Sequence, residues 1–253
     1  MQREVYNALF TFRNSDAFFT YSVIGWIWET IYCSLKDHHY DYRGFLFGPY
    51  CPVYGFAVTT ILIFTDKFKN HLILLFISGL IVATIFEYLA SLFLEKVFHM
   101  KLWDYSDLWG NLQGRVAPMI SLFWGFGVVL LDKFIQPHIQ DFLNWEEART
   151  HGAFAVIVAV IMATDFVFTI ISVERFNVTT KEWNDRINAF FKKRGHELSS
   201  HELIFKHLDE VKPKHKLSWN HKRLLNSFPQ LKSTNNKQFN DIKQDLVKRI
   251  NQK

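Results

Sequence analysis

Apolar residues run through the first two thirds of this chain in long blocks separated by short polar connections, and beyond residue 175 the blocks stop. A helix needs about 20 largely apolar residues to cross the hydrocarbon of a bilayer. Five stretches meet that length, at 17–35, 49–65, 72–94, 116–135 and 153–173. The second is the most interrupted, with Pro49, Pro52 and Gly55 in its first turns, although proline is well tolerated where a helix begins. The opening MQREVYNALFTFRNSD lacks the continuous apolar core of a cleavable signal and reads as a short amphipathic helix lying on the surface, with Val5, Leu9 and Phe10 on its apolar side. Past residue 175, Thr179-x-x-Glu182 and Ser199-x-x-Glu202 have capping-box spacing and Gly195 is a stop signal, which predicts helices at 180–194 and 200–211; a third is expected at about 237–250. The pattern divides the chain into an interfacial segment (1–16), a transmembrane domain (17–175) and a partly helical tail (176–253). The predicted fold class is all-α, a polytopic membrane bundle of about five helices.

Composition agrees: 49% of residues are hydrophobic and 17% aromatic, above the level of an ordinary soluble domain. Charge separates the two parts. Residues 1–173 hold 11 Lys and Arg against 15 Asp and Glu, whereas 174–253 hold 18 against 9. A basic tail collects on the anionic cytoplasmic side. With five spans that places the N-terminus outside and the 36–48 and 95–115 connections inside; the short loops are nearly balanced and do not decide orientation. Parity survives inversion of the whole molecule, so those two connections share a side. Cys33 and Cys51 are the only cysteines, both in apolar runs, and read as small buried thiols.

The unusual residues gather at that shared side. Glu29 lies in the last third of the first span and Glu87 in the last third of the third. Arg43 is in the following loop, and Asp104, Asn111 and Arg115 are in WDYSDLWGNLQGR, ahead of the fourth span. A carboxylate inside a span costs a few kcal/mol, about 2.5–3.5 for Asp at the centre on insertion scales, so Arg43 and Arg115 are the expected partners. Guanidinium can hold carboxylate or phosphate through paired hydrogen bonds, which lysine cannot imitate. Ser22, Gly25, Glu29 and Cys33 share one helix face at steps of three and four; Gly79, Ala83, Glu87 and Ser91 share another at steps of four. A third stripe carries Asp165 inward, and Tyr40, Tyr42, Tyr50, Trp103, Tyr105 and Trp109 are placed at headgroup level around the same mouth. Two readings of YRGFLFGPYCPVYGF stay open: a tight bend that sends irregular backbone into a covered part of the bilayer, or a snorkelling Arg43 before prolines that simply start a helix.

The order Gly25-Trp26 and Glu29, Arg43-Gly44-Phe45, Gly48-Pro49, Pro52-Val53-Tyr54-Gly55, Glu87-Tyr88, Trp103-Asp104-Tyr105-Ser106, Asn111 and Gly114-Arg115 resembles the ABC-transporter type IV, or CmpB-like, family of bacterial membrane proteins over roughly residues 17 to 175. The resemblance implies a multi-pass permease of the bacterial plasma membrane. It leaves the solute unspecified and does not extend to the tail.

The substrate or ion site is therefore expected at Glu29, Arg43, Glu87, Asp104, Asn111 and Arg115, supported by Trp26, Tyr54, Tyr88, Trp103, Tyr105 and Asp165. No G-x-x-x-x-G-K-[ST] loop is present, so ATP hydrolysis requires a separate subunit, and five spans are few enough that a homodimer or another membrane partner is expected to complete a path. Two other classes stay open. An intramembrane enzyme would use the arginines on a lipid-linked or phosphorylated substrate, but no nucleophile arrangement or histidine stands in the motif core. A scaffold would recruit through the tail, whose Lys192, Lys193, Arg194, Lys212, Lys214, Lys216, Lys222 and Arg223 meet anionic lipid or stay solvated; no nucleic-acid fold signature accompanies them. His38-His39 reads as a wet loop. His196 and His201, five apart around Gly195 and serines, do not read as a metal pair, so neither metal nor cofactor is expected.

Overall fold

A computed structural model describes residues 2–193, 218–228, 231–233 and 240, and the chain is mostly helical. Helix α1 spans Gln2–Asp37. A non-helical loop leads into α2 (Pro52–Thr65), a 3-10 turn (Asp66–Phe68) and α3 (Leu72–Phe98). Helix α4 (Pro118–Leu130) passes through a π-helical turn (Leu131–Ile135) into α5 (Gln136–Thr150). Helix α6 covers Ala153–Lys193 and α7 Trp219–Ser227. The all-α expectation needs one amendment: β1 (Met100–Lys101) pairs antiparallel with β2 (Lys232–Ser233), Met100 opposite Ser233.

Among the described residues, three helices are long and apolar enough to cross a membrane: Leu72–Phe98, the continuous Pro118–Thr150, and Ala153–Phe190. Helix α3 carries the sign of a lipid-facing helix on its surface. Ile73, Ile77, Ile81, Ile85, Leu89, Phe93 and Val97 recur every fourth residue and all are exposed. Two positions away, about 200° around the helix, Leu75, Gly79 and Ala83 are buried. Helix α2 has 14 residues, about 21 Å of rise, short of the ~30 Å hydrocarbon.

Two expectations about helix ends are corrected. Residues 2–37 form one helix with no break at residue 16 between an interfacial piece and a span. Thr179 caps nothing, because α6 runs uninterrupted through it and its Oγ1 donates back to Arg175 O at 2.8 Å. Gly195 and the helices expected at 200–211 and 237–250 lie outside the described residues.

The chain divides into two compact units, Met1–Ala90 with Tyr105–Val167, and Ser91–Asp104 with Phe168–Lys253; one boundary falls inside α6. In the first, α1 and α2 meet through glycines. A Cβ on Gly25 would lie 2.3 Å from the Tyr54 ring, and one on Gly55 would lie 2.3 Å from Ser22 Oγ and 2.5 Å from Phe18 O. Ile61, Leu75, Ala83 and Val128 join α2, α3 and α4; Leu46, Tyr50, Val158 and Met162 join the 38–51 loop to the first part of α6.

The second unit has its own core, with Phe98, Met100, Phe176, Ile187, Leu224, Leu225 and Leu231 all buried. Ser218 caps α7 by accepting from His221 N–H, and Ser218 N–H donates to His221 Nδ1. Nε2 faces Ser172 O at 3.0 Å, so the neutral Nε2–H tautomer satisfies both contacts. Burial holds this imidazole below its usual range. Sequence reading missed α7, because its apolar face of Leu224, Leu225 and Phe228 is too short to register as a periodic block.

Candidate functional site

The loop over residues 38–51 is irregular backbone, and its polar groups are met by side chains and backbone from α1 and α6 within the first unit. Trp26 Nε1 donates to Arg43 O at 2.8 Å, and Cys51 N–H donates to Ser22 O at 2.9 Å. Asp165 accepts Phe47 N–H at 3.0 Å, Gly48 N–H at 2.7 Å and the Tyr50 hydroxyl at 2.6 Å. One carboxylate thus fixes the bend before Pro49 by charge-assisted bonds, each stronger than a neutral hydrogen bond. Backbone of this kind survives in apolar surroundings only where its groups are satisfied internally.

That loop delivers Arg43 to Glu29. Arg43 Nε and Nη2 lie 3.2 and 3.0 Å from Glu29 Oε1, and the two side chains are 11% and 18% exposed. The Cys51 thiol points at Glu29 Oε2 at 3.8 Å. Tyr54, seated on Gly25, lies within electrostatic reach of Glu29, Arg43 and Tyr105. Tyr105 Oη donates to Glu87 Oε1 at 3.1 Å, and both Glu87 and Glu29 act on that phenol. Burial first, and then these two carboxylates, push the Tyr105 hydroxyl well above its usual range. Glu29, Arg43, Tyr54, Tyr105 and Glu87 therefore form one neighbourhood, with Trp26 bracing it from behind.

Arg115 is 7% exposed; its Nε donates to Gln113 Oε1 at 3.2 Å, which also accepts from Tyr88 Oη at 3.1 Å, and its guanidinium lies 5.7 Å from the Tyr88 ring centre. Asn111 is engaged by its own loop: Nδ2 donates to Ser106 O and Leu108 O at 3.0 and 2.8 Å, and Oδ1 accepts Gly114 N–H at 2.9 Å. Gln113 and Gly114 have positive φ in the turn that Asn111 ties. Asp104 and Trp103 belong to the second unit, where Asp104 Oδ2 pairs with Lys232 Nζ at 2.6 Å.

Chemically, the neighbourhood offers a guanidinium held by one carboxylate, a second carboxylate held by a phenol, and an aromatic surround. That set suits exchange of hydrogen-bond partners with a polar or anionic group. Among the described residues, no group of three or more His, Cys, Asp or Glu side chains is placed to hold a metal ion.

Near the middle of α1, where α5 packs, sequence reading passed over Asp16 and its neighbour Glu146. Both are buried, and their carboxyl groups are in contact. Tyr21 Oη donates to Gln136 Oε1 as a further tie between α1 and α5. Nothing in the spacing marks Asp16, which closes a polar stretch, RNSD, that reads as a surface turn.

Apolar helices that carry a buried charged neighbourhood define a membrane protein of the transporter-like class. The chain belongs to the family described as "Putative ABC-transporter type IV", whose model matches residues 17–170. No curated protein and no solved structure matches the chain.

Proposed function

We propose that this chain is the membrane component of a permease and meets a polar or anionic solute at Glu29, Arg43, Glu87 and Tyr105. The single observation that carries the reading is the Arg43–Glu29 pair, 11% and 18% exposed, at the mouth of a loop whose backbone is fixed from two helices. Intramembrane charge marks pathways and sites far more often than inert structure. A solute carboxylate or phosphate takes the donors that Glu29 occupies, while Tyr105 and Glu87 supply a donor and an acceptor in the same cluster.

In this reading the bundle has five crossings: α1 and α2 add to the three long apolar helices, with α2 and its loop entering as a short, covered segment. The basic tail faces the cytoplasm of a bacterial plasma membrane, and a separate ATPase drives the cycle. A homodimer supplies the rest of the path. Membrane lipids surround the exposed isoleucine stripe of α3. Arg115 and Asn111 shape the loop that presents Tyr105.

The test is solute flux in vesicles that contain the purified chain, with and without co-purifying nucleotide-binding protein. Arg43→Lys and Glu87→Gln are expected to lower flux at least tenfold with membrane abundance unchanged. Equal loss of flux and abundance would assign the cluster to folding alone. A changed lipid-linked product formed without any partner would favour the intramembrane enzyme instead.

A further inference from the structure

The packing of α1 on α5 holds a second ionisable pair, and here both members carry the same sign. Asp16 is 3% exposed and Glu146 5%. Their carboxyl groups are within hydrogen-bond contact. Asp16 Oδ1 and Glu146 Oε2 are buried with no hydrogen-bond partner, while Glu146 Oε1 accepts from Thr150 Oγ1. The remaining charge that acts on Asp16 is Glu147, also on α5 and also acidic. Arg149, the cation of that helix end, is stacked over the Trp145 ring at 4.6 Å.

Two carboxyls in contact and away from water give up their second proton only at a raised pH, because each charge raises the free energy of the other and desolvation penalises both. Buried acceptors left without a donor are rare in folded proteins, and each calls for a cause. A single hydrogen placed between the two carboxyls satisfies the contact and lowers the charge. A metal ion is the competing occupant. Calcium takes six to eight oxygens and magnesium demands a near-octahedral set, whereas this corner offers two carboxyls and one hydroxyl. Among the described residues, no group of three or more His, Cys, Asp or Glu side chains is placed to hold a metal ion.

We propose that Asp16 and Glu146 form a proton-binding site, one exchangeable proton being shared by the two carboxyl groups, near the middle of α1 and away from the Glu29–Arg43 pair. The proton comes from the adjoining aqueous phase, and the pair passes between net charges of −2 and −1 as it leaves and returns. Burial, followed by the charge of Glu146, lifts the Asp16 carboxyl from 3.8 to about 7, so exchange falls near neutrality. Thirteen residues separate Asp16 from Glu29, about 20 Å of helix rise, so this site is distinct from the solute site and stands whether or not that reading holds.

The experiment is infrared titration of the full-length protein in lipid from about pH 5 to about pH 9, a range that brackets ordinary and raised carboxyl values. Wild type, Asp16→Asn, Glu146→Gln and Glu87→Gln are compared, with circular dichroism on the same samples. The expected result is a protonated-carboxyl band with a near-neutral midpoint that survives Glu87→Gln. In either member's substitution the surviving carboxyl titrates at least one pH unit lower, a tenfold loss of proton affinity. A band unmoved by both pair variants, or absent from wild type at the acid end, overturns the proposal. Should the pair variants fail to fold, the wild-type titration is repeated with sodium and with calcium. An unmoved midpoint supports the proton site, and an acid shift by either cation overturns it.

Discussion

Two positions on helix α1, thirteen residues apart, treat buried charge in opposite ways. At Glu29 the carboxylate faces a guanidinium at 3.0 Å; at Asp16 it faces another carboxyl. A buried carboxyl on the same helix thus meets a guanidinium at one position and a second carboxyl at the other. What decides is the partner brought by a distant segment: the 38–51 loop in the first case and α5 in the second. Removing a partner should therefore have opposite signs at the two positions.

The largest effect is expected for Arg43→Ala. Breaking a buried pair by deleting one member leaves an uncompensated charge, at about 3–5 kcal/mol. Thermal unfolding of the purified protein in detergent measures it, and Arg43→Lys should recover part of the loss. A neutral Arg43→Ala would erase the contrast between the two positions.

Next comes Asp165→Ala, which removes the acceptor of two backbone N–H groups and the Tyr50 hydroxyl. Bonds to a charged group contribute roughly 1.5–3 kcal/mol each, and partial rehydration brings the expected cost to about 3 kcal/mol. Limited proteolysis should then cut within residues 38–51, where wild type resists. Uncut loop in the variant would show that α1 alone holds Arg43 in place.

The opposite sign is expected for Asp16→Asn. Because the native Asp16 carboxyl titrates at about 7 and the unfolded one near 3.8, the native state holds a proton that the unfolded state has lost over this window. Stability contributed here is greatest at the acid end and declines as pH rises from about 4 to about 7. Asp16→Asn removes that slope, so the variant should match wild type near pH 5 and exceed it by roughly 1–2 kcal/mol near pH 8. Unfolding midpoints at the two pH values settle the point, and a variant less stable than wild type at both would make the pair an ordinary structural contact.

Smallest is Tyr105→Phe, which deletes the hydroxyl on Glu87 Oε1 and is expected to cost about 1 kcal/mol. Its use is to sharpen the comparison: flux that falls tenfold with so small a stability change would place Tyr105 in solute contact. Unchanged flux would leave it a support for Glu87.

Part of this was legible beforehand. Glu29, Glu87 and Arg43 stood out because charge in a long apolar block is costly, and the pairing of Glu29 with Arg43 follows from sign and from the short loop between them. The inward turn of Asp165 was legible from its stripe of small and polar neighbours, but its three donors were not. Asn111 looked like a site residue and proved to be tied into its own loop, since a side chain that caps neighbouring backbone has the same letter as one that meets a solute. Asp104 lay near the others in sequence and its ion pair is with Lys232, 128 residues away.

The sequence by itself determined the long apolar helices, the basic tail and the positions where charge interrupts them, because burial of about 20 apolar residues dominates every local preference. Which charges meet was decided only by tertiary structure. Coulomb energy depends on distance and desolvation, and the chain sets these by folding loop 38–51, α5 and the first part of α6 onto their neighbours. Hence Glu29 and Asp16, two carboxyls on one helix, end as members of an ion pair and an acid pair.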